Sequence, residues 1–291
     1  MVRRVPRDRS GHIMTIAAVF CVYNEEEYLE YAVRAILPAV DRVIICLGMA
    51  PYTAYNPRAR DSSRPDRTEA IVDALAARHP QITIIKGIWD NELDERNAGL
   101  DLCLQQGIDY SWLVDGDEVY REDHLRAIRE EIAQHPEVGT FIIKCHIFWR
   151  SFAYRIPAQE MTWRPRRIFK LTRFRRILGL KIPYRCRFVG SNDINTLGPV
   201  HELRPEHAVF YHFSYARSAK AMADKFATFS HAHEIRPDWF ETVWRPWPTR
   251  REMINIHTVD PPKFPRAIHQ SPDDLPAIMR THPFYGLDII P

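Results

Sequence analysis

Tyr110-Ser111-Trp112-Leu113-Val114-Asp115-Gly116-Asp117-Glu118 decides the fold: a short apolar run opens into three carboxylates gathered around one glycine. An apolar run of this length, bounded by a turn signal, reads as a strand buried on both faces. Carboxylates at alternate positions of an extended chain converge only if the backbone bends. Gly116 permits the bend, and it also permits a large ligand to approach the main chain. Clustered carboxylates repel one another unless a cation neutralises them, and Mg2+ and Mn2+ prefer oxygen ligands. Open α/β sheets bind ligands at the carboxyl ends of their strands, so the turn reads as a metal site at such an edge. The alternative is an Asp-rich turn capping the helix expected over 123–133.

Upstream, strands expected at 15–22, 42–47 and 81–86 alternate with helices at 25–37, 67–78 and 92–105. Leu29, Val33 and Ile36 mark the inner face of the first helix, which Pro38 stops; Ile71, Ala74 and Leu75 mark the second. Strands recurring with helices between them imply a mostly parallel sheet covered on both faces, an α/β fold with Rossmann-like order. Downstream, a strand is expected over 139–148. The Pro-, Tyr-, Arg- and Ser-rich stretch 48–66 reads as a loop.

With 291 residues, 45% hydrophobic and 26% charged, the chain is long enough for a sizeable core. Its five cysteines are scattered and none forms a Cys-x-x-Cys pair. That pattern implies free thiols in a reducing compartment, hence a cytoplasmic location. Arg3, Arg4, Arg7 and Arg9 precede an apolar stretch that runs into Asn24-Glu25-Glu26-Glu27 with no small-residue cleavage site, so no signal peptide is expected. No apolar run approaches the roughly 20 residues that span a bilayer.

Past residue 150 the pattern changes. Residues 163–187 hold ten Lys or Arg and no Asp or Glu, in a chain whose net charge is only +3. Interleaved Trp163, Phe169, Phe174, Tyr184 and Phe188 could stack on bases or sugars, so the run reads either as a groove for a polyanion or as a solvated loop. From 234 onward prolines, aromatics and histidines show little periodicity. The expected division is an α/β half over 1–150, a continuation of the same domain over 151–233, and a C-terminal wrap over 234–291.

Other polar residues fall on the same edge. Tyr23-Asn24-Glu25 sits where the first strand meets the first helix, suited to a base, a ribose or a phosphate, although Asn24 is equally an N-cap candidate. Asp66-Arg67-Thr68 opens the second helix with the same ambiguity. Arg96, in the first turns of its helix, opposes the macrodipole and requires a phosphate or one of Asp94 and Glu95. His201-Glu202 and His212-Phe213-Ser214-Tyr215 flank a short strand at 208–211, and a neutral imidazole suits a carboxylate-bound transition metal.

In their order, Tyr23-Asn24-Glu25-Glu26, Asp66-Arg67-Thr68, Arg96-Asn97-Ala98-Gly99-Leu100, Asp115-Gly116-Asp117-Glu118, His201-Glu202 and His212-Phe213-Ser214-Tyr215 resemble the family-2 glycosyltransferases of GT-A fold over residues 14–230. The resemblance implies a nucleotide-sugar donor, commonly UDP-linked, with Mn2+ or Mg2+ on its diphosphate. It implies that Tyr23, Asn24, Glu25 and Asp66 hold the nucleoside with Arg96 close by. Asp115 would contact ribose or metal, Asp117 would be the principal metal ligand, and His212 would complete the set. An inverting course needs a carboxylate base: Glu202 is expected, with Glu118 second. Arg166, Arg167, His201, Tyr215 and Arg217 are candidates for acceptor or phosphate contacts. The acceptor could be a glycan, a lipid-linked sugar or a hydroxymethylated base in DNA. Cys21 stands where the family commonly has proline.

Two rival classes remain. A nucleotidyltransferase, or another metal-dependent phosphate-handling enzyme, could use the same acidic turn. It would show a glycine-rich phosphate loop where this chain has Asn24-Glu25-Glu26-Glu27. A non-catalytic nucleic-acid-binding protein built on the basic run leaves the acidic turn and His212 without a purpose.

Overall fold

The computed structural model describes residues 14–54, 59, 65–160, 163–171, 199–228 and 234–291. Most of the basic run, with Phe174, Tyr184, Phe188 and Cys186, therefore lies outside the described residues.

In chain order, β1 (Ile16–Val22), α1 (Leu29–Ile36), β2 (Arg42–Gly48), α2 (Thr68–Arg78), β3 (Ile82–Gly87), α3 (Glu92–Gln105) and β4 (Tyr110–Asp115) alternate. There follow β5 (Glu118–Tyr120), α4 (Glu122–Gln134), β6 (Thr140–Ile142), β7 (Lys144–Trp149), β8 (Ser151–Ile156), β9 (Arg166–Lys170), β10 (Val200–Glu202), β11 (Val209–Tyr215), α5 (Ala219–Thr228) and β12 (Ile268–His269). A seven-stranded sheet has the order β10-β6-β9-β4-β1-β2-β3. Its strands run parallel except β9, which is antiparallel to both β4 and β6. A second, five-stranded sheet has the order β12-β8-β7-β11-β5.

β1 shows why its sequence is apolar without interruption. Ile16, Ala18, Phe20 and Val22 face the core that includes Leu29, Ala32, Val33 and Ile36 of α1. Ala17 and Val19 face the other core, with Leu100 and Cys103 of α3. Side chains alternate across a strand, so a strand covered by helices on both sides needs apolar residues at every position. Gly99 brings α3 close to that second face: a Cβ on it would sit 2.4 Å from Val19 Cγ1. The inner face of α2 is Thr68, Val72 and Leu75, with Ile71 half-buried. Ala74, expected inside, is exposed.

The single strand expected over 139–148 is two. The chain leaves the seven-stranded sheet after Ile142 and enters the five-stranded sheet at Lys144. Between them the Ile143 N–H turns aside to donate to the Pro165 carbonyl at 3.1 Å. Beyond 234, Trp239, Trp244 and Trp247 are buried within the chain, each edge-on to Trp149 of β7. Trp239 Nε1 donates to the Ile256 carbonyl at 2.9 Å, and β12 adds an edge to β8. Cys21, Cys46, Cys103 and Cys145 are free thiols. Among the described residues, no helix is long and apolar enough to cross a membrane.

Candidate active site at the carboxyl edge

The acidic turn is the point where the chain passes between the sheets. Asp115 ends β4 in one, and Glu118 begins β5 in the other. Gly116 takes no left-handed backbone; its missing side chain makes room instead. A Cβ there would lie 3.0 Å from Glu25 Cγ and 3.3 Å from Val22 Cγ1, so the turn packs directly onto the end of β1. His212 arrives by strand pairing, since the antiparallel register of β11 and β5 sets it opposite Glu118.

A cavity of about 410 Å³ opens over this edge, within the roughly 300–1,000 Å³ usual for small-molecule sites. Tyr23, Asn24, Glu25, Asp66, Arg96, Asp115, Asp117, Arg167, His212 and Arg217 all line it. The repulsion implied by clustered acids is met by four cationic side chains. Asp115 accepts from Arg96 at 2.5 Å and Arg167 at 3.2 Å. Asp117 accepts from Arg217 at 2.6 Å and Lys225 at 3.4 Å, while its other oxygen lies 3.0 Å from His212 Nε2. Burial alone raises a carboxyl pKa, but here the surrounding charges prevail. Arg167 and Arg96 hold Asp115 well below the usual carboxylate range, and His212, Lys225 and Arg217 do the same for Asp117. Glu118 and Glu25 go the other way. Burial pushes the Glu118 carboxyl well up although Arg167 contacts it. Burial also brings Glu25 to about 7, despite its 2.6 Å contact with Arg217.

The wall nearest β1 is stitched by side chain to backbone. Asn24 takes φ +52° and accepts from the Asp66 N–H at 3.3 Å. It caps no helix, since α1 begins at Leu29. Asp66 instead accepts from the N–H groups of Glu26 at 3.0 Å and Thr68 at 2.7 Å, joining the entries of α1 and α2. Arg96 finds its protein partners in Glu92 and Asp115, not in Asp94 or Glu95. Glu95 is buried, accepts from the Val22 N–H at 3.2 Å and is bonded to Tyr52, and burial raises it to about 8.

Five expected site residues do not line the cavity: Glu118, buried against Arg167 at the acidic turn, and four that lie elsewhere. Glu202 does not line the cavity; it is bonded to Arg164 at 2.7 Å and lies 3.8 Å from Lys144. His201, on the opposite face of the same short strand, lies 3.1 Å from Glu131 of α4. Tyr215 stacks on Trp149 and shares a 3.1 Å hydrogen bond with Thr258. Arg166 alternates with Arg167 along β9, and only Arg167 turns to the cavity. Conversely, Lys225 and Ser214 line the cavity without having been expected there, and Trp163, expected as a stacking aromatic of the basic run, lines it too. The readable signal for Lys225 is its place in the helix that follows His212-Phe213-Ser214-Tyr215.

The donor set suits a divalent cation. Ligand atoms of Asp115, Glu118 and His212 lie within 4.8 Å of one another, and Asp117 adds an oxygen beside His212. The other imidazole nitrogen of His212 is buried with no hydrogen-bond partner among the described residues. Mixed carboxylate and imidazole donors of this kind accommodate Mn2+ and its neighbours.

The chain is similar to several solved structures. The crystal structure of Staphylococcus aureus TarS 1-349 matches at 14% identity and TM-score 0.44, covering 84% of this chain and 80% of that one. TarS 1-349 in complex with UDP-GlcNAc matches at 14% identity and TM-score 0.45, covering 72% of this chain and 61% of that one. A 4-diphosphocytidyl-2C-methyl-D-erythritol synthase matches at 12% identity and TM-score 0.39, covering 74% and 98%. No curated protein matches the chain. The model of glycosyl transferase family 2 matches residues 17–196, more than half of the sequence. On that match, and with the mostly parallel sheet and the edge site it carries, the chain belongs to glycosyl transferase family 2 and is a glycosyltransferase of GT-A type.

Proposed function

We propose that this glycosyltransferase moves a sugar from a nucleotide-sugar, UDP-linked, to an acceptor hydroxyl with inversion, using a divalent ion at the acidic turn. One observation supports the reading above the others: Arg96, Arg167, Arg217 and Lys225 converge on Asp115 and Asp117 inside one cavity at the carboxyl edge. Breaking a sugar–phosphate bond develops negative charge on the departing diphosphate. Preorganised cations stabilise that charge without reorganising at the moment of reaction. Asp115, Asp117 and His212 would hold Mn2+ or Mg2+, which when bound neutralises diphosphate oxygens. Tyr23, Asn24, Glu25 and Asp66 form the wall assigned to the nucleoside.

Inversion requires a base, and neither expected carboxylate is poised as one. Glu202 is held by Arg164 and Lys144. Glu118 is fully buried behind Arg167, so its role in the proposal is to anchor that guanidinium. In the basic run, Arg164, Arg167 and Lys170 are all engaged within the chain, which favours a sugar acceptor over a polyanion along this part of the surface.

Calorimetric titration of UDP and a panel of UDP-sugars, with and without Mn2+, tests the proposal on wild type, Asp117→Asn and Lys225→Met. Binding that needs Mn2+ and weakens in both variants is the expected result. Binding indifferent to both residues would remove the cavity from the donor's path. The anomeric configuration of the product, read by NMR, decides inversion separately.

A further inference from the structure

Away from the cavity, a second group of metal-ligating side chains gathers where α4 ends beneath β10. Glu131, in the last turn of α4, and His135, the residue that caps its C-terminus, are four residues apart, and their side chains meet. His201 reaches them from β10, the last strand of the seven-stranded sheet. His201 Nε2 lies 3.1 Å from Glu131 Oε2, and His135 Nε2 lies 3.5 Å from the same oxygen. The three ligand atoms are all within 4.8 Å of one another. We propose that Glu131, His135 and His201 form a binding site for a transition-metal dication, Zn2+ foremost, separate from the donor cavity.

Donor spacing and chemistry both point there. A four-coordinate Zn2+ about 2.0–2.1 Å from nitrogen and oxygen ligands has donor–donor edges of about 3.3 Å, between the two distances observed. Two imidazoles with one carboxylate suit Zn2+ and its late-row neighbours better than Mg2+ or Ca2+. The outer contact is of the kind metal-bound histidines make: His135 Nδ1 lies 3.3 Å from Glu137 Oε1, a carboxylate placed to accept its N–H and leave Nε2 free to ligate. The two rings stack with centroids 4.7 Å apart and 25° between planes, so their Nε2 edges face the same oxygen together. All three side chains are about one-third exposed, which leaves a coordination position for water.

The site has a mechanical purpose. β10 is three residues long and, among the described residues, pairs with β6 alone. Its adjacent residues point to opposite faces: Glu202 to Arg164 and Lys144, His201 to α4. A bound ion would clamp β10 to the end of α4 and fix the position of both.

Metal-free full-length protein titrated with Zn2+ by calorimetry, with Co2+ absorption as a spectroscopic probe, tests the assignment. Wild type, His135→Ala, His201→Ala and His212→Ala are compared, the last to count any ion bound at the acidic turn. One Zn2+ equivalent, with visible Co2+ bands of tetrahedral intensity, should vanish in His135→Ala and His201→Ala and persist in His212→Ala. Glu137→Gln should retain the site with affinity about 10- to 100-fold weaker. Circular dichroism checks that the variants fold, and Glu131→Gln in an intact fold provides a further loss-of-site variant. Unchanged stoichiometry and affinity in His135→Ala and His201→Ala would overturn the proposal. So would a wild type that takes up no Zn2+ beyond what His212→Ala loses.

Discussion

Replacing Arg217 with methionine tests the electrostatic construction of the site in one step. Arg217 is 1% exposed, and its guanidinium bonds Glu25 and Asp117 at 2.6 Å each. Removing one member of a buried ion pair costs about 3–5 kcal/mol, because the partner is left charged without compensation. Here part of that cost is relieved. Asp117 keeps His212 at 3.0 Å and Lys225 at 3.4 Å. Glu25, already at about 7, responds to the loss of its counter-charge by holding a proton. The expected cost therefore sits at the low end, about 3 kcal/mol, or a Tm lowered by about 6–12 °C for a chain of this size. The sign of the pH dependence follows from Glu25. Its folded pKa lies above the unfolded value, so the folded state binds the extra proton and stability is lost as pH rises through the folded pKa. In Arg217→Met that pKa moves higher still, so the gap to wild type narrows as pH falls from 7.5 to 6. Thermal unfolding followed by circular dichroism at several pH values measures both effects. A Tm change under about 2 °C, or a gap that widens on acidification, would refute the reasoning.

Acid should unfold this protein through its buried histidines. His282 Nε2–H donates to the Glu27 carbonyl at 2.8 Å, Nδ1 accepts from the Phe284 N–H, and burial lowers its pKa to about 4. Because the unfolded imidazole binds protons more readily, stability falls from about pH 6.5 down to about 4, by about 3 kcal/mol for this residue. His257, at about 4, and His146, at about 3, act in the same direction. The urea midpoint should drop steadily over that range, and His282→Gln should flatten the curve. Gly99→Ala should destabilise: the new methyl meets Val19 Cγ1 at 2.4 Å and Cys46 Sγ at 3.0 Å. Overpacking of this kind costs about 1–3 kcal/mol, against about 1 kcal/mol of helix propensity gained. A urea midpoint equal to wild type would mean that β1 and α3 are less tightly apposed. Asp66→Ala should cost only about 1 kcal/mol as a lost cap, yet weaken UDP binding well beyond that, because Glu26 and Thr68 N–H groups and the Asn24 turn lose their common anchor. Calorimetry showing unchanged UDP affinity would separate Asp66 from the nucleoside wall.

What could be read in the sequence follows the physics of each element. β1, β2 and β4 are buried on both faces, so their apolar runs declare themselves, and the residues just past their ends locate the edge. Glu25, Asp115 and Asp117 were legible for that reason, whereas Arg96, inside α3, was singled out by its opposition to the helix dipole and His212, inside β11, by the family resemblance. β9 was not: Arg166-Arg167-Ile168-Phe169-Lys170 reads as a basic loop until Asp115 and Glu118 are there to neutralise Arg167. The break at Ile143 depends on the Pro165 carbonyl, a partner from another strand's approach that no local periodicity carries. His201 and Glu202 mislead by adjacency. Neighbours in a strand face opposite ways, and neither face of β10 opens on the cavity.

The acidic turn spans the seam between two separately hydrogen-bonded sheets, with Asp115 contributed by one and Glu118 and His212 by the other. Affinity at this edge is thus a gauge of how the two sheets are docked. A fault in the β5–β11 pairing misaligns the donor atoms even when the seven-stranded sheet is intact. A chain that has formed only its first sheet can neither capture a ligand there nor be rescued by one, so ligand-induced protection would mark the moment at which the two halves lock.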